Sequence, residues 1–321
     1  MTVAPPPPAA REPGATPRAS AVPFRPLPAD DVGAAAQLAC LLEASAPKPG
    51  NVSPGRHFRD ARYEDFLASA AAVGAALSRA GEAPLGATVR RAVEATARWT
   101  RSNTNLGVVL LVAPLARAHL VATPRSRDAL RDAVRRVLDE TTVADARDVY
   151  AAIRRAAPGG LGRADAQDVV GEPTVSLLDA MRLAAGRDAV AAEYATAFAT
   201  TFEVGAPALD AAIGAGLAWD DAVVEAYLTL LARAPDTHVA RRSGGAAAGA
   251  ISRRAAAALA AGGVRSAGGR VALAALDAEL RDPRNSGNPG ATADLTAAAI
   301  LVVLLGGGWH STHGSPDAAT R

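Results

Sequence analysis

Residues 106–116 read Leu-Gly-Val-Val-Leu-Leu-Val-Ala-Pro-Leu-Ala, and this apolar run decides the fold. A second apolar run, Ala297–Gly308, lies near the C-terminus. Both are shorter than the ~20 residues that a membrane-spanning helix needs. We therefore predict two buried helices, around which the other helices of one domain pack, and no association with a membrane.

The composition indicates helices rather than strands. Half of the residues are hydrophobic but only 4% are aromatic, so alanine and leucine supply most of the apolar content. Within residues 63–79, Phe66, Ala70, Val73 and Leu77 follow the spacing of three or four that marks one face of a helix. No segment shows the alternation of a strand. The sequence predicts an all-α fold, a single globular multi-helix array.

The helix boundaries follow from apolar spacing together with capping residues and glycines. Asp30 and Asp31 are expected to cap the first helix, and Thr142 a later one. The sequence contains no repeat of fixed period. The predicted helices cover residues 30–44, 63–79, 87–100, 106–120, 126–139, 143–156, 174–185, 188–203, 206–215, 219–233, 245–261, 270–281 and 291–305.

The two ends of the chain are expected to lie outside this helical domain of residues 29–306. Residues 1–28 hold nine of the 22 prolines and no apolar segment, which predicts a disordered extension rather than a signal peptide. Residues 307–321, with His310 and His313, are expected to form a mobile tail rather than a metal site.

Charge and cysteine usage exclude several classes of protein. The net charge is +2, from 34 basic and 32 acidic residues without a basic stripe, so we expect no nucleic-acid partner. Cys40 is the only cysteine, within an apolar helical segment, and we interpret it as a core residue. The absence of a disulfide within the chain fits a reducing, cytoplasmic location.

The first of four polar clusters is Glu43-Ala-Ser-Ala-Pro-Lys-Pro-Gly-Asn51. Pro47 and Pro49 prevent a helix here and hold Lys48 in a stiff loop beside Glu43. Such a loop could bind an anion or a nucleotide, or it could be a helix stop with a solvated lysine. His57 and Asp60 extend this cluster.

The other three clusters also lie at predicted helix ends, where backbone groups are free. Ser102-Asn103-Thr104-Asn105 precedes the apolar helix and could act in capping or in binding. In Asp236–Gly245, arginines before Ser-Gly-Gly could bind phosphate or could be an ordinary turn. Asn288–Asp294 opens the last helix, where Asp294 could complement the helix dipole or hold a divalent ion carrying a polyphosphate.

Common enzyme motifs are missing from the sequence. It contains no Gly-x-Ser-x-Gly, no Walker A loop and no Gly-x-Gly-x-x-Gly after a strand pattern. His57 and His238 could act as acids or ligands, but no metal-ligand spacing links them.

Taken in order, the four clusters resemble the CitG/MdcB-type family of triphosphoribosyl-dephospho-CoA synthases. The resemblance spans about residues 38–305, and the ordered set of motifs is more specific than any one of them. The matching residues are Glu43 with Pro47-Lys48-Pro49-Gly50, Phe66 with Ser69-Ala70, Asn103-Thr104 with Gly107, Asp236-Thr237 with Arg241, and Pro289-Gly290 with Ala293-Asp294-Leu295.

The chain departs from the lyase-associated members at several positions. Asn51 stands where they have leucine, Asn105-Leu106 where they have His-Lys, and His238 where they have asparagine. These departures, with Gly159–Gly162 and Arg187-Asp188, look like a second branch found in archaea and methylotrophic bacteria. The acceptor of that branch is left open, and a pterin or other C1-carrier intermediate is the alternative.

The resemblance implies a transferase that moves triphosphoribose from ATP, with Mg²⁺, to 3′-dephospho-CoA and releases adenine. A non-catalytic helical nucleotide-binding protein and a metal-dependent hydrolase are the rival hypotheses, and a homodimer is one option for the assembly. The implied roles are base or oxocarbenium stabiliser for Glu43 or Asp60, nucleotide and phosphate binding for Lys48, Asn51, Asn103, Thr104, Arg241 and Gly290, and Mg²⁺ binding for Asp236 and Asp294.

Overall fold

The computed structural model describes Phe24 and residues 26–282 and 285–307. These residues form fourteen α-helices and no strand, which confirms the predicted all-α fold. Of the predicted extension 1–28 and tail 307–321, residues 1–23, 25 and 308–321, including His310 and His313, lie outside the described residues. Within the described part of the extension, Leu27 donates its N–H to Nε2 of His119 at 2.8 Å and packs against the core.

The helices are numbered in chain order. A π-helical turn, Thr201–Gly205, leads directly into α9, and a short 3₁₀ turn, Gly263–Arg265, precedes α13. The helices are α1 (Ala29–Ser45), α2 (Tyr63–Ser78), α3 (Leu85–Thr96), α4 (Leu106–Ala122), α5 (Arg127–Asp139), α6 (Val143–Ala156), α7 (Leu177–Ala184), α8 (Ala189–Ala195), α9 (Ala206–Gly214), α10 (Trp219–Arg233), α11 (Thr237–Ser243), α12 (Gly245–Ala260), α13 (Ala267–Leu280) and α14 (Gly290–Leu305).

The two apolar runs form the centre of the molecule, as predicted. Helix α14 is buried from Leu295 to Leu305, and α4 is buried along nearly its whole length. Helix α14 packs against α1, α4 and α10. Because a helix that is apolar on all sides must be surrounded by others, these two helices organise the array.

Cys40 is buried in α1, as the sequence predicts. Burial, and next the nearby carboxylate of Glu43, raise the pKa of its thiol to about 12. A thiol that stays protonated at neutral pH is a poor nucleophile, so Cys40 serves as a core residue.

The segment 188–215 differs from the prediction of two regular helices. Helix α8 ends at Ala195, and Ala197 and Phe198 adopt left-handed conformations with φ of 48° and 59°. The fully buried Glu193 accepts the backbone N–H groups of Thr200 at 2.9 Å and Thr201 at 2.8 Å. This carboxylate replaces helical hydrogen bonds, and nothing in the local spacing of apolar residues indicates it.

Two smaller differences lie at helix starts. Helix α11 was not predicted, since its seven residues are too few to show periodicity. Helix α1 begins at Ala29 after Pro28, so Asp30 and Asp31 lie in its first turn and do not cap it. There they favour the helix through its dipole instead. Thr142 caps α6 as predicted.

Within the described residues, no single helix is long and apolar enough to span a membrane. One pair, α4 with α5, reaches the required length and composition together but is bent by 106°.

Candidate active site

Lys48 is fully buried in the loop that follows α1. Its Nζ lies 3.0 Å from Glu43 Oε1, contacts the Glu43 carbonyl oxygen, and lies 3.4 Å from the carbonyl oxygen of Ala46. An ammonium group has three hydrogens, and these three oxygens account for all of them. The alternative of a helix stop with a solvated lysine is therefore wrong, and the ammonium holds Glu43 with no hydrogen left over.

The loop around Lys48 is held by α10 and by the end of α13. Asp277 accepts the backbone N–H of Gly50 at 2.8 Å, and Tyr227 donates its hydroxyl to the carbonyl of Pro49 at 2.8 Å. Arg281 pairs with Asp277 at 2.9 Å and so stiffens this support. The rigidity expected from the two prolines thus has a second source in groups about 180 to 230 residues away.

Asn51 joins the first cluster to the fourth. Its Nδ2 donates to Asn288 Oδ1 at 2.6 Å, and its carbonyl accepts from Arg281 at 2.7 Å. The side-chain Oδ1 of Asn51 is buried and has no partner among the described residues. A buried acceptor without a donor is costly, so this atom is a candidate ligand contact.

Asp236 joins the third cluster to the fourth by capping two helices. Its Oδ1 accepts the N–H groups of His238 at 2.8 Å and Val239 at 2.9 Å, at the start of α11. Its Oδ2 accepts the N–H and the hydroxyl of Thr292, each at 2.7 Å, in the first turn of α14. Four hydrogen bonds fill the four lone-pair positions of a carboxylate, so Asp236 has none left for the metal ion predicted from the sequence.

Asp294 joins the fourth cluster to the start of α4, directly after the second cluster. A Cβ at Gly107, in the first turn of α4, would lie 2.0 Å from Asp294 Oδ2, so only glycine lets the carboxylate approach this helix. The positive end of the α4 dipole favours a carboxylate there. Among the described residues, the structure shows no hydrogen-bond or ion-pair partner for Asp294.

Several charged groups affect the pKa of Asp294. Burial, and then the carboxylates of Glu43, Asp236 and Asp188, hold the pKa of Asp294 well above its usual range, whereas Arg241 lowers it. Like charges around one unpaired carboxylate favour either its protonated form or a bound cation.

The first and second clusters meet through Asp60 and Ser102. The hydroxyl of Ser102 donates to the carbonyl oxygen of Asp60, whose side chain is exposed. Asn103 is also exposed, and its Oδ1 accepts the first N–H of α4 at 3.2 Å. Thr104 is buried and shares a hydrogen bond with Ser69 of α2. Thr104 and Ser69 therefore lie inside the protein, whereas Asn103 and the side chain of Asp60 face solvent.

Arg241 of α11 is held by a residue that the sequence analysis did not assign to the site. Its guanidinium forms an ion pair with Asp188, which also caps α8 through the N–H of Ala191 at 3.1 Å. The Nε atom of Arg241 is buried without a partner among the described residues. Asp188 was noted only as part of the pair Arg187-Asp188, and this pairing gives it a place at the site.

Gly290 has a packing role that its predicted place among nucleotide-binding residues did not include. A Cβ at this position would lie 2.2 Å from Nδ1 of His238, so glycine makes room for the imidazole ring. The ring of His238 therefore lies against the start of α14.

Residues 29–313 match the protein family CitG, described as ATP:dephospho-CoA triphosphoribosyl transferase. This chain belongs to the CitG family. A crystal structure of a protein from Archaeoglobus fulgidus, provisionally named a triphosphoribosyl-dephospho-CoA synthase, matches with a TM-score of 0.60 and 29% identity. The match covers 76% of this chain and 100% of that chain. No protein of curated function is significantly similar.

Membership of the CitG family confirms the resemblance found in the sequence and makes the chain a transferase. Direct contacts connect the four clusters of this CitG-family chain. Asn51 with Asn288 links the first cluster to the fourth, Asp236 with Thr292 links the third to the fourth, and Ser102 with Asp60 links the second to the first. Asp294 of the fourth cluster also packs on Gly107 at the start of α4. Two surface clefts beside α3 and α6 are lined by other residues.

A metal ion in this CitG-family site would need oxygen atoms from the substrate. The described residues contain no group of three His, Cys, Asp or Glu side chains placed to hold a metal ion. Mg²⁺ commonly binds through one or two carboxylates together with substrate phosphates. The unpaired carboxylate of Asp294 fits that pattern, and the saturated carboxylate of Asp236 does not.

Replacing Gly107 by alanine is expected to lower kcat/KM by about 10²-fold, because the new Cβ displaces the Asp294 carboxylate and small displacements at a reacting centre are costly. Steady-state transfer rates would be compared with those of Gly214→Ala, a helical glycine whose Cβ would meet nothing within 4 Å. Equal rates for the two variants would show that the contact between Gly107 and Asp294 is unimportant.

Proposed function

We propose that this CitG-family chain transfers the triphosphoribosyl group of ATP to a hydroxyl of 3′-dephospho-CoA and releases adenine. The observation that carries the proposal is the buried ion pair of Lys48 and Glu43, in a loop that contacts the fourth cluster through Asn51 and Asn288. The family match and the Archaeoglobus fulgidus neighbour support the same activity.

The reaction breaks the bond between C1′ of the ribose and N9 of adenine, and forms a bond between C1′ and the acceptor oxygen. Adenine departs with the electron pair of the broken bond and takes up one proton, which leaves a ribose with oxocarbenium character, as in glycoside hydrolysis. A carboxylate beside the sugar stabilises that charge and accepts the proton of the attacking hydroxyl. We assign this task to Glu43, whose Oε1 is held by Lys48 while Oε2 is left for the reaction.

Lys48 acts in this proposal as a positioning residue. Its ammonium hydrogens all point to oxygens of Glu43 and Ala46, so it fixes the carboxylate and does not contact the triphosphate. Phosphate binding then falls to Arg241, held in place by Asp188. Asp60 is exposed and remains a second candidate for the base.

The remaining polar residues suit contacts to the sugar or the acceptor. The unpaired Oδ1 of Asn51 can accept a hydroxyl hydrogen, and the exposed amide of Asn103 can orient ribose or acceptor. Thr104, bound to Ser69, fixes the start of α4. Asp294 would hold Mg²⁺, which would neutralise charge on the triphosphate when bound.

The unpaired side-chain oxygen of Asn51 favours a second candidate acceptor besides 3′-dephospho-CoA. The lyase-associated members have leucine at this position, whereas this chain places a buried, unpaired amide oxygen there. A polar heterocycle such as a pterin, or another C1-carrier intermediate, could satisfy that oxygen. The ATP chemistry would be the same.

The experiment is to incubate the protein with ATP, Mg²⁺ and one candidate acceptor at a time, and to follow adenine by chromatography. Adenine release that depends on 3′-dephospho-CoA, with a product containing the acceptor and triphosphoribose, is expected. Release only with a pterin acceptor would select the second candidate. No release with any acceptor, although ATP binds, would favour a non-catalytic nucleotide-binding protein.

A further inference from the structure

Helix α11 carries two buried nitrogen atoms that have no partner among the described residues. They are Nε2 of His238 and Nε of Arg241. The two residues are three positions apart, so their side chains lie on the same face of the helix. Unpaired buried polar atoms are rare in proteins, so two on one face of a helix are candidate contacts for a ligand.

The packing of His238 against Gly290 favours one of the two neutral tautomers of its ring. The Cβ position built on Gly290 lies 2.2 Å from Nδ1, and 3.0 and 3.2 Å from the ring carbons Cε1 and Cγ on either side. These nearly equal distances place it in line with the lone pair of Nδ1. A Cα hydrogen of Gly290 therefore faces Nδ1 as a weak donor. The ring hydrogen then belongs on Nε2, which is a donor.

The imidazole of His238 is uncharged at neutral pH. Burial, followed by the positive charges of Arg242 and Arg241, lowers its pKa to about 4. A neutral imidazole has one N–H group, and here that group is buried and unpaired. It therefore acts as a fixed neutral donor and not as a base.

Arg241 provides the second donor in a fixed orientation. Its Nη1 donates to Asp188, which leaves the Nε–H unpaired. Asp236 fixes the backbone of His238, and Gly290 fixes its ring, so both donors belong to rigid parts of the site.

We infer that the Nε2–H of His238 and the Nε–H of Arg241 together bind the oxygens of one phosphate group, and that His238 is a specificity residue of the site. The assignment of this group to the triphosphate of ATP rests on the proposed function. The diphosphate of the acceptor has the same chemistry, and the experiment separates the two sources. The lyase-associated members have asparagine in place of His238. Its side chain is shorter than that of histidine and places its N–H donor closer to the backbone.

The test measures the binding of inorganic tripolyphosphate, in the presence of Mg²⁺, to the full-length protein by titration calorimetry. His238→Leu removes the donor but keeps an apolar side chain, and Arg241→Lys keeps the charge but removes Nε–H. Each is expected to weaken binding by about tenfold or more, since hydrogen bonds to charged groups are the strong ones. His238→Gln, which restores an N–H donor, should lose less than His238→Leu.

Two further variants control for indirect effects. Arg254 of α12 forms an exposed ion pair with Glu279 of α13, and Arg254→Lys should bind tripolyphosphate as the unmodified protein does. Gly290→Ala keeps both donors but displaces the imidazole ring, so it should weaken binding like His238→Leu. Unchanged binding in folded His238→Leu, with the fold checked by circular dichroism, would overturn the inference.

Steady-state kinetics identify the source of the phosphate. His238→Leu is expected to raise the KM for ATP and leave the KM for the acceptor unchanged. A rise only in the acceptor KM would overturn the assignment to ATP. Tripolyphosphate binding needs no turnover, so it tests the inference separately from catalysis. If the unmodified protein binds tripolyphosphate but releases no adenine, and His238→Leu loses that binding, the inference is supported and the proposed function is refuted.

Discussion

Replacing Glu43 by glutamine is expected to lower kcat by about 10²–10⁴-fold, equivalent to roughly 3–5 kcal/mol, in a protein that folds normally. Glutamine has the size of glutamate and can still accept a hydrogen from Lys48, but the buried ammonium loses its counter-charge, so we expect stability to fall as well and kcat to be measured where circular dichroism shows the variant folded. It cannot take the proton of the acceptor hydroxyl, and it brings no negative charge to the ribose. Single-turnover adenine release separates this loss from any change in binding.

The control for this variant is Glu64→Gln, at an exposed carboxylate in the first turn of α2. It should leave kcat within twofold of the unmodified protein. Near-normal turnover in Glu43→Gln would mean that the base is another group, and Asp60 would be tested next.

Replacing Lys48 by methionine is expected to lower the free energy of unfolding by about 3–5 kcal/mol, because it leaves the buried Glu43 carboxylate without a partner. Two backbone carbonyls, of Glu43 and Ala46, lose a donor as well. Urea denaturation followed by circular dichroism measures this change. The loss of kcat should accompany it, since Glu43 is no longer held.

A double variant tests the cause of that instability. Glu43→Gln combined with Lys48→Met removes both charges, so it should be more stable than Lys48→Met alone. If Lys48→Met keeps normal stability and raises only the KM for ATP, then Lys48 is a phosphate contact, as the family resemblance implied. That result would refute the positioning role.

Much of the helical architecture follows from local sequence. The two apolar runs correctly predict the central helices α4 and α14, and the boundaries of α6 and α10 match the prediction. The errors have tertiary causes. Glu193 breaks the region after α8 by binding backbone N–H groups that a regular helix would satisfy itself. A buried carboxylate of this kind resembles any surface glutamate in the sequence.

The candidate site was only partly predictable, again because tertiary contacts are not visible in the local sequence. The sequence identifies the clusters because their residue types are unusual at helix ends, but it cannot show their partners. Asp277 holds the lysine loop from α13, 227 positions away from Gly50. Asp236 and Lys48 were expected to contact ligands, yet in the structure neighbouring groups occupy their hydrogen-bonding capacity. Saturation of a polar group depends on distant neighbours.

The most direct test of a single site formed by the four clusters is a crystal structure of Glu43→Gln with ATP and Mg²⁺, in which slow turnover preserves the nucleotide. We expect the ribose C1′ beside the substituted side chain and the phosphates against Arg241, with one phosphate contacting His238. A nucleotide bound instead in the clefts beside α3 and α6, lined by Arg90, Arg98 and Arg155 among others, would contradict the proposed site.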